Sequence, residues 1–313
     1  MKINTFRADT HSIDKTTGEY RDPLMKWPLR GAAFTNEIGE ALRPLIGGYA
    51  TISWAPALMY IGADIYDKYK NDNTEYSPNS KRLLKQAIFQ GMASILLPLV
   101  AVKAGQNIFS LTGRIGKDKV SLNSKEIVSL TAENFIANGQ MRAFHGKDEE
   151  CVKTFIDRVH NVIDFSKQEK NTKNPFVKTW NKIEITILKF LNINNESLDK
   201  YATSTIRDLI EQRKNLLNPT EEFKSTKIYN DYVKNLNKGQ TKNVAVKSAL
   251  TKFQQNKMLK GRAIKTLGGF IALGSLIKPI DHFVDNFLIG KVLGPGIDNY
   301  ERPRDRKKEQ ELN

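Results

Sequence analysis

The residues whose types and spacing could do chemistry border apolar runs: Asn36, Glu37, Glu40 and Arg43; Asp64 and Asp67; and Asp281, His282 and Asp285. If Thr35 to Arg43 is helical, Asn36, Glu40 and Arg43 share a face, and the four-residue spacing of Asp281 and Asp285 puts those two on one face as well. Carboxylates grouped in this way can hold an ion or a metal. The simpler reading, and the one favoured, is a charge network at one rim of a helical bundle in which Arg43 pairs with a carboxylate and fixes helix register. No catalytic residue, metal or cofactor is expected. The sequence has no nucleotide-binding glycine loop, paired zinc ligands or nucleophile elbow, and His11, His145, His160 and His282 lie far apart. Cys151 is the only cysteine, which excludes an intrachain disulfide and a thiolate metal site.

These polar residues need apolar elements to position them. Between Arg43 and Asp64 the run PLIGGYATISWAPALMYIGA carries no charge, and about 20 residues at roughly 1.5 Å each reach about 30 Å, the thickness of bilayer hydrocarbon. A second uncharged run, QAIFQGMASILLPLVAV, lies between Lys85 and Lys103. A third, TLGGFIALGSLI, lies between Lys265 and Lys278; alone it reaches only about 18 Å and crosses only if both lysines snorkel. After it, DHFVDNFLIGKVLG reads as an interfacial or packed amphipathic helix, with Phe283, Val284 and Phe287 opposite the two aspartates. The competing reading is that all these runs are core helices of a soluble bundle.

The charge is segregated from them. The chain carries a net +15, and most of it sits between Lys103 and Lys265, where 30 basic residues face 17 acidic ones. Apolar positions in this stretch recur at helical spacing: Ile127, Leu130 and Phe135; Val152, Phe155, Ile156, Val159 and Ile163; Ile185, Ile187, Leu188 and Leu191. A further helix is expected from Asn195 or Ser197 to Leu217, and another from Thr220. Lys242, Lys247, Lys252, Lys257, Lys260, Arg262 and Lys265 lead into the third apolar run. They are candidate contacts for anionic lipid, at about 1 kcal/mol each beside a charged surface, unless they form only a solvated basic face. Nucleic acid is not an expected partner, because no zinc, RNA-binding or helix-turn-helix pattern accompanies the charge.

The expected fold is all-α: an integral membrane bundle of about three spans with a basic extramembrane helical insert. Residues 1–43 form an arm and juxtamembrane helix, 44–108 two membrane helices, 109–260 the insert, 261–295 the last membrane segment and interfacial helix, and 296–313 a charged tail. With three spans the N-terminus and the insert lie on the same side, and the excess of lysine and arginine near the spans on that side favours the cytoplasm or the matrix for both.

The apolar runs and their rims also resemble a known family in three collinear blocks: FTNEIGEALRPLI followed by GADIYDK; QAIFQGMASILLPLVAVKAGQNI; and LGGFIALGSLIKPIDHFVDNFL. Together they are similar to the family of mitochondrial fission process protein 1, an inner-membrane protein. Asn36, Glu37, Gly39, Glu40, Arg43, Asp64, Asp67, Lys68, Pro279, Asp281 and Asp285 fall on its motif positions. The chain departs from the family in its much longer connection between the second and last blocks and in Lys278, where the family tends to place histidine. The resemblance implies a role in membrane morphology or fission, in a mitochondrial inner membrane or a bacterial cytoplasmic membrane, with protein partners that the motifs do not define. It supplies no reaction. The alternatives are an ion or small-solute transporter, and a soluble helical scaffold or polyanion binder.

Overall fold

The computed structural model describes residues 11–13, 20–21, 24, 28–72, 75–76, 78–115, 118–144, 146–167 and 195–299. The expected helix around Ile185 to Leu191 and the tail beyond residue 299 lie outside them. The described chain is helical, with two short antiparallel pairings: β1 (His11–Ile13) with β2 (Tyr20–Arg21), and β3 (Asn71–Asp72) with β4 (Glu75–Tyr76). The first helices are α1 (Leu29–Ala32), α2 (Thr35–Ile46), α3 (Trp54–Lys70), α4 (Ser80–Phe89) and α5 (Leu97–Ser110). They are followed by α6 (Leu122–Ala137), α7 (Gln140–Ala143), α8 (Asp148–Lys167), α9 (Asn195–Leu217), α10 (Glu221–Lys224), α11 (Lys227–Asn237), α12 (Lys242–His282) and α13 (Gly294–Asp298). The chain divides into a terminal unit, residues 1–106 with 266–313, and a central unit, residues 107–265.

The central unit is built like a soluble domain. Ser121 starts α6 by accepting the Ser124 N–H at 3.2 Å, satisfying one of the donors that a helix start leaves without an intrahelical partner. Phe135, Phe155, Leu198, Ile206, Leu209 and Leu250 are fully buried together, with Phe135 edge-on to Phe155 at 5.6 Å between ring centres. Val152, Phe155, Val159 and Ile163 point inward as their spacing requires. Leu130 does not, being turned off the face that Val128, Ala132 and Phe135 bury. The helix expected from Thr220 is two helices. Thr226 donates to the Phe223 carbonyl at 2.7 Å and accepts the Tyr229 N–H at 3.4 Å, ending one and starting the next.

The terminal unit is partitioned the other way. Every buried charged residue among those described, Glu37, Glu40, Asp64 and Lys68, belongs to it, together with buried Asn36, Gln86, Gln90, Ser94 and Gln106. Its buried apolar positions include six alanines, Ala33, Ala41, Ala50, Ala57, Ala93 and Ala101, beside larger residues such as Tyr60, Phe89 and Leu273. Of the 22 exposed large apolar residues described in the chain, 16 lie in this unit, among them Tyr49, Ile52, Met59, Leu276, Phe283 and Phe287.

Two continuous helical stretches are long and apolar enough to cross a membrane: Ser80–Ile115, whose most apolar 18 residues have mean hydropathy 1.7, and Lys242–Asp298, whose most apolar 18 residues have mean hydropathy 1.3. In the first, a π-helical segment, Gln90–Leu96, joins α4 to α5. In the second, the short run after Lys265 is embedded in α12, which continues through a π-helical segment, Phe283–Leu293, to α13. Val284 is buried while Phe283 and Phe287 are exposed, so the three do not share the face expected of them. Gly105 makes a close crossing possible: a Cβ there would lie 2.3 Å from the Gly268 carbonyl oxygen and 2.5 Å from Ala272 Cβ.

The charge-free run after Arg43 is not one helix, contrary to expectation. Gly47 takes φ +58° with ψ −129°, a conformation open essentially to glycine alone, and it ends α2. A 3-10 stretch, Gly47–Ser53, then turns the chain back. Ser53 packs so closely on Gly39 that a Cβ at Gly39 would meet Ser53 Oγ at 1.7 Å. Length without charge was therefore compatible with a crossing but did not require one.

Cys151 is 2 % exposed, and burial, reinforced by the Asp148 charge, pushes its thiol up to about 11. The neutral thiol is favoured up to that pH, so alkylation of folded protein at pH 8 is expected to be at least about 100-fold slower than in denaturant. The rate should rise with pH towards 11. Equal rates in a timed iodoacetamide reaction would show that the central core does not enclose this residue.

Candidate functional site

A hydrogen-bonded polar network is buried in the terminal unit, and two prolines dictate part of it. Proline has no N–H, so at a helix interior it leaves the carbonyl four residues earlier without its usual donor. Pro44 does this to Glu40 and Pro98 to Ser94. Gln106 Nε2 donates to the Glu40 carbonyl at 2.9 Å and to that of Ala41 at 3.3 Å. Asn36 Nδ2 donates to the Ser94 carbonyl at 2.8 Å. Each freed carbonyl thus receives a side-chain amide from another helix, and Asn36 and Gln106 tie α2 to the Ser80–Ile115 stretch.

The network continues through side chains. Ser94 Oγ donates to Gln90 Oε1 at 2.6 Å, and the amides of Gln90 and Gln86 both donate to one carboxylate oxygen of Asp64. Gln86, Gln90 and Ser94 recur every four residues, which presents all three on one side of their helix. Asp64 is only 3 % exposed, so its carboxyl group is satisfied by these donors rather than by water. Asn36 Oδ1 is buried with no hydrogen-bond partner among the described residues.

Glu40 anchors a second group. Its carboxylate accepts Arg43 Nε at 2.7 Å and Trp54 Nε1 at 2.9 Å. Burial pushes the Glu40 carboxyl up, but the hydrogen bonds from Arg43 and Trp54 and the charges of Arg43 and Lys103 outweigh it and hold it below the usual carboxylate range. The bond to Glu40 in turn raises Arg43. This contribution to stability is present at neutral pH and is lost as pH falls through the lowered Glu40 value.

The structure brings together most of the residues singled out from sequence. Asn36, Glu37, Gly39, Glu40, Asp64 and Lys68 are buried in the terminal unit, and Arg43 closes onto Glu40. Asp67 accepts from Asn71 at 2.9 Å. Pro279 is exposed, and Asp281 and Asp285 are half-buried in the last helical stretch; among the described residues, no hydrogen bond joins Asp285 to the Asp64 or Glu40 groups. No set of three His, Cys, Asp or Glu side chains suited to a metal occurs among the described residues. Gln86, Gln90, Ser94, Gln106 and Trp54 were not anticipated. A readable signal existed for three of them, since a Gln-x3-Gln-x3-Ser pattern inside an apolar run puts polar groups on one helix face.

In the central unit, the basic series ahead of the third run is largely engaged. Lys252 pairs with Asp231, Lys257 with Asp208, Lys265 with Glu126, and Arg262 with Glu126 and Glu133. Lys247 donates to the Ala137 carbonyl at 3.0 Å. Lys242 and Lys260 are exposed and make no ion pair among the described residues, so the seven do not form a uniform free stripe. No protein-family model, curated protein or solved structure matches the chain.

Gln106→Leu should cost about 1 to 3 kcal/mol by leaving the Glu40 carbonyl without a donor. Pro44→Ala restores a backbone N–H four residues after that carbonyl, so the double variant should recover most of the loss. Asn36→Leu with Pro98→Ala should behave in the same way. Thermal unfolding of the purified protein gives both cycles, and strict additivity would sink the assignment.

Proposed function

We propose that this chain is a non-enzymatic integral membrane protein that organises or shapes a bilayer, as its resemblance to the mitochondrial fission process protein 1 family implies. Its setting would be a mitochondrial inner membrane or a bacterial cytoplasmic membrane. One observation carries the reading: the terminal unit buries four charged side chains, Glu37, Glu40, Asp64 and Lys68, and several amides, while it exposes 16 large apolar side chains. Water penalises that partition, because contiguous apolar surface is left wet while polar groups are desolvated. Hydrocarbon reverses the penalty, since polar groups must then be satisfied internally and the apolar exterior is solvated by lipid tails.

Two full crossings, Ser80–Ile115 and part of Lys242–Asp298, fit this reading better than three. Lys81 and Lys85 bond to Asp298, joining the start of the first stretch to the end of the second as antiparallel crossings require. The turn at Gly47–Ser53 divides the remaining apolar run, and Trp54 to Ala63, about 15 Å of helix, reaches about half the hydrocarbon depth. The central unit, with its conventional core, is the water-facing part through which protein partners or anionic lipid would be met. An ion or solute transporter is the second reading, favoured by buried Asp64 beside a proline- and π-interrupted helix.

The protein is expected in the pellet after carbonate washing of membranes, and its release into the supernatant would remove the basis for anchoring. In sealed vesicles, an N-terminal epitope tag and a cysteine introduced by Lys153→Cys are expected on opposite faces. Finding both on one face would favour a third crossing. Solute flux through liposomes that disappears in Asp64→Asn would support transport over membrane organisation.

A further inference from the structure

Three helices of the central unit bring cations to one cavity. Arg142 on α7, Arg213 on α9 and Lys247 on α12 line a space of about 270 Å³ together with Asn243, and no carboxylate among the described residues lines it. The remaining walls are apolar: Ile136, Met141, Val246 and Leu250 are buried and Leu217 is half-buried. The volume is close to the lower end of the range for small-molecule sites, which starts at about 300 Å³. Asn243, Val246, Lys247 and Leu250 recur at helical spacing, so the first two turns of α12 form one wall. The positive end of the α12 dipole therefore lies beside the cavity, and the first turn holds no acidic residue to offset it.

These cations differ from their neighbours. Along α9, Arg207 pairs with Glu149 at 2.8 Å and Lys214 with Asp148 at 2.6 Å. Arg213, between them in sequence, makes no ion pair or side-chain hydrogen bond among the described residues, and neither does Arg142. Lys247 donates to the Ala137 carbonyl at 3.0 Å, which uses one of the three N–H groups of its ammonium. Two guanidiniums without a counter-ion and a partly engaged ammonium thus stand over buried apolar walls. The cavity has one charged end and one hydrocarbon end.

We infer that this cavity binds a small amphiphilic anion. Its carboxylate or phosphate head meets Arg142, Arg213 and Lys247, and its short apolar body lies against Met141, Leu217, Val246 and Leu250. The inference goes beyond the membrane reading and stands without it, because every residue involved belongs to the central unit. A guanidinium presents paired N–H donors that match two oxygens of a carboxylate or phosphate. The apolar walls select a ligand with a hydrocarbon part, since a bare inorganic anion would bury none of that surface. The charge repels cations, and a neutral apolar molecule would cover the guanidiniums without offering them an acceptor.

The experiment uses the full chain in phosphatidylcholine nanodiscs, or in buffer should carbonate washing release it from membranes. Equilibrium dialysis against radiolabelled octanoate and, separately, octyl phosphate, with empty nanodiscs as the blank, is expected to show saturable binding of at least one of them. Whichever head binds more tightly distinguishes a free carboxylic acid from a phosphate ester as the source, and either supports the inference. Arg142→Gln and Arg213→Gln, with circular dichroism unchanged, should each weaken binding roughly tenfold, as the loss of a hydrogen bond to a charged group does. Arg207→Gln, whose guanidinium is held by Glu149, should leave it unchanged. Saturable binding of neither probe would overturn the inference, as would binding that either cavity-arginine substitution leaves intact. Displacement by octanol as effective as by unlabelled octanoate would reduce the site to an apolar hole, and equal displacement by acetate or inorganic phosphate would reduce it to surface charge; each result also overturns the inference.

Discussion

A carbonyl deprived of its donor by proline must be satisfied by something other than the helix that contains it. In the terminal unit that constraint is met twice by buried amides, Gln106 on Glu40 and Asn36 on Ser94. In water, such carbonyls can be left to solvent. In a buried or lipid-surrounded setting each costs several kcal/mol if left alone. The prolines therefore do more than bend helices: they specify which side chains of neighbouring helices must be present and where. α2 is held against the Ser80–Ile115 stretch by these contacts, and through Ser94 and Gln90 the same network reaches Asp64 on α3.

The two units use opposite solutions to the same packing problem. The central unit buries phenylalanine, leucine and isoleucine and pairs its lysines with carboxylates at the surface. The terminal unit combines small apolar clusters with alanine, glycine crossings and hydrogen-bonded polar groups in its interior, and turns 16 large apolar residues outward. Small interior residues permit the close approach that hydrogen bonds between helices require, as at Gly39 against Ser53 and Gly105 against Gly268.

How legible this was varied by element. Helices of the central unit could be read from apolar spacing because burial on one face imposes that spacing, as Val152, Phe155, Val159 and Ile163 illustrate. The division of the segment after Thr220 depended on Thr226 acting as a cap for a second helix, which spacing alone does not reveal. The polar residues of α2 and α3 stood out because charged groups beside apolar runs are costly unless partnered. Their partners did not stand out: Gln86, Gln90 and Gln106 are uncharged and disappear into a hydropathy average. The availability of Lys252, Lys257 and Lys265 was likewise hidden, since their carboxylate partners lie at least 21 residues away in sequence.

By itself the sequence determined the helical class and the separation of apolar runs from a basic middle, because these follow from local chemistry. Tertiary structure alone decided that the run after Arg43 folds back instead of continuing, that the short run after Lys265 belongs to a 41-residue helix, and which amide answers which carbonyl. The physical reason is that a charge-free stretch states only that water is unfavourable, whereas its path depends on what the rest of the chain offers to pack against and bond to.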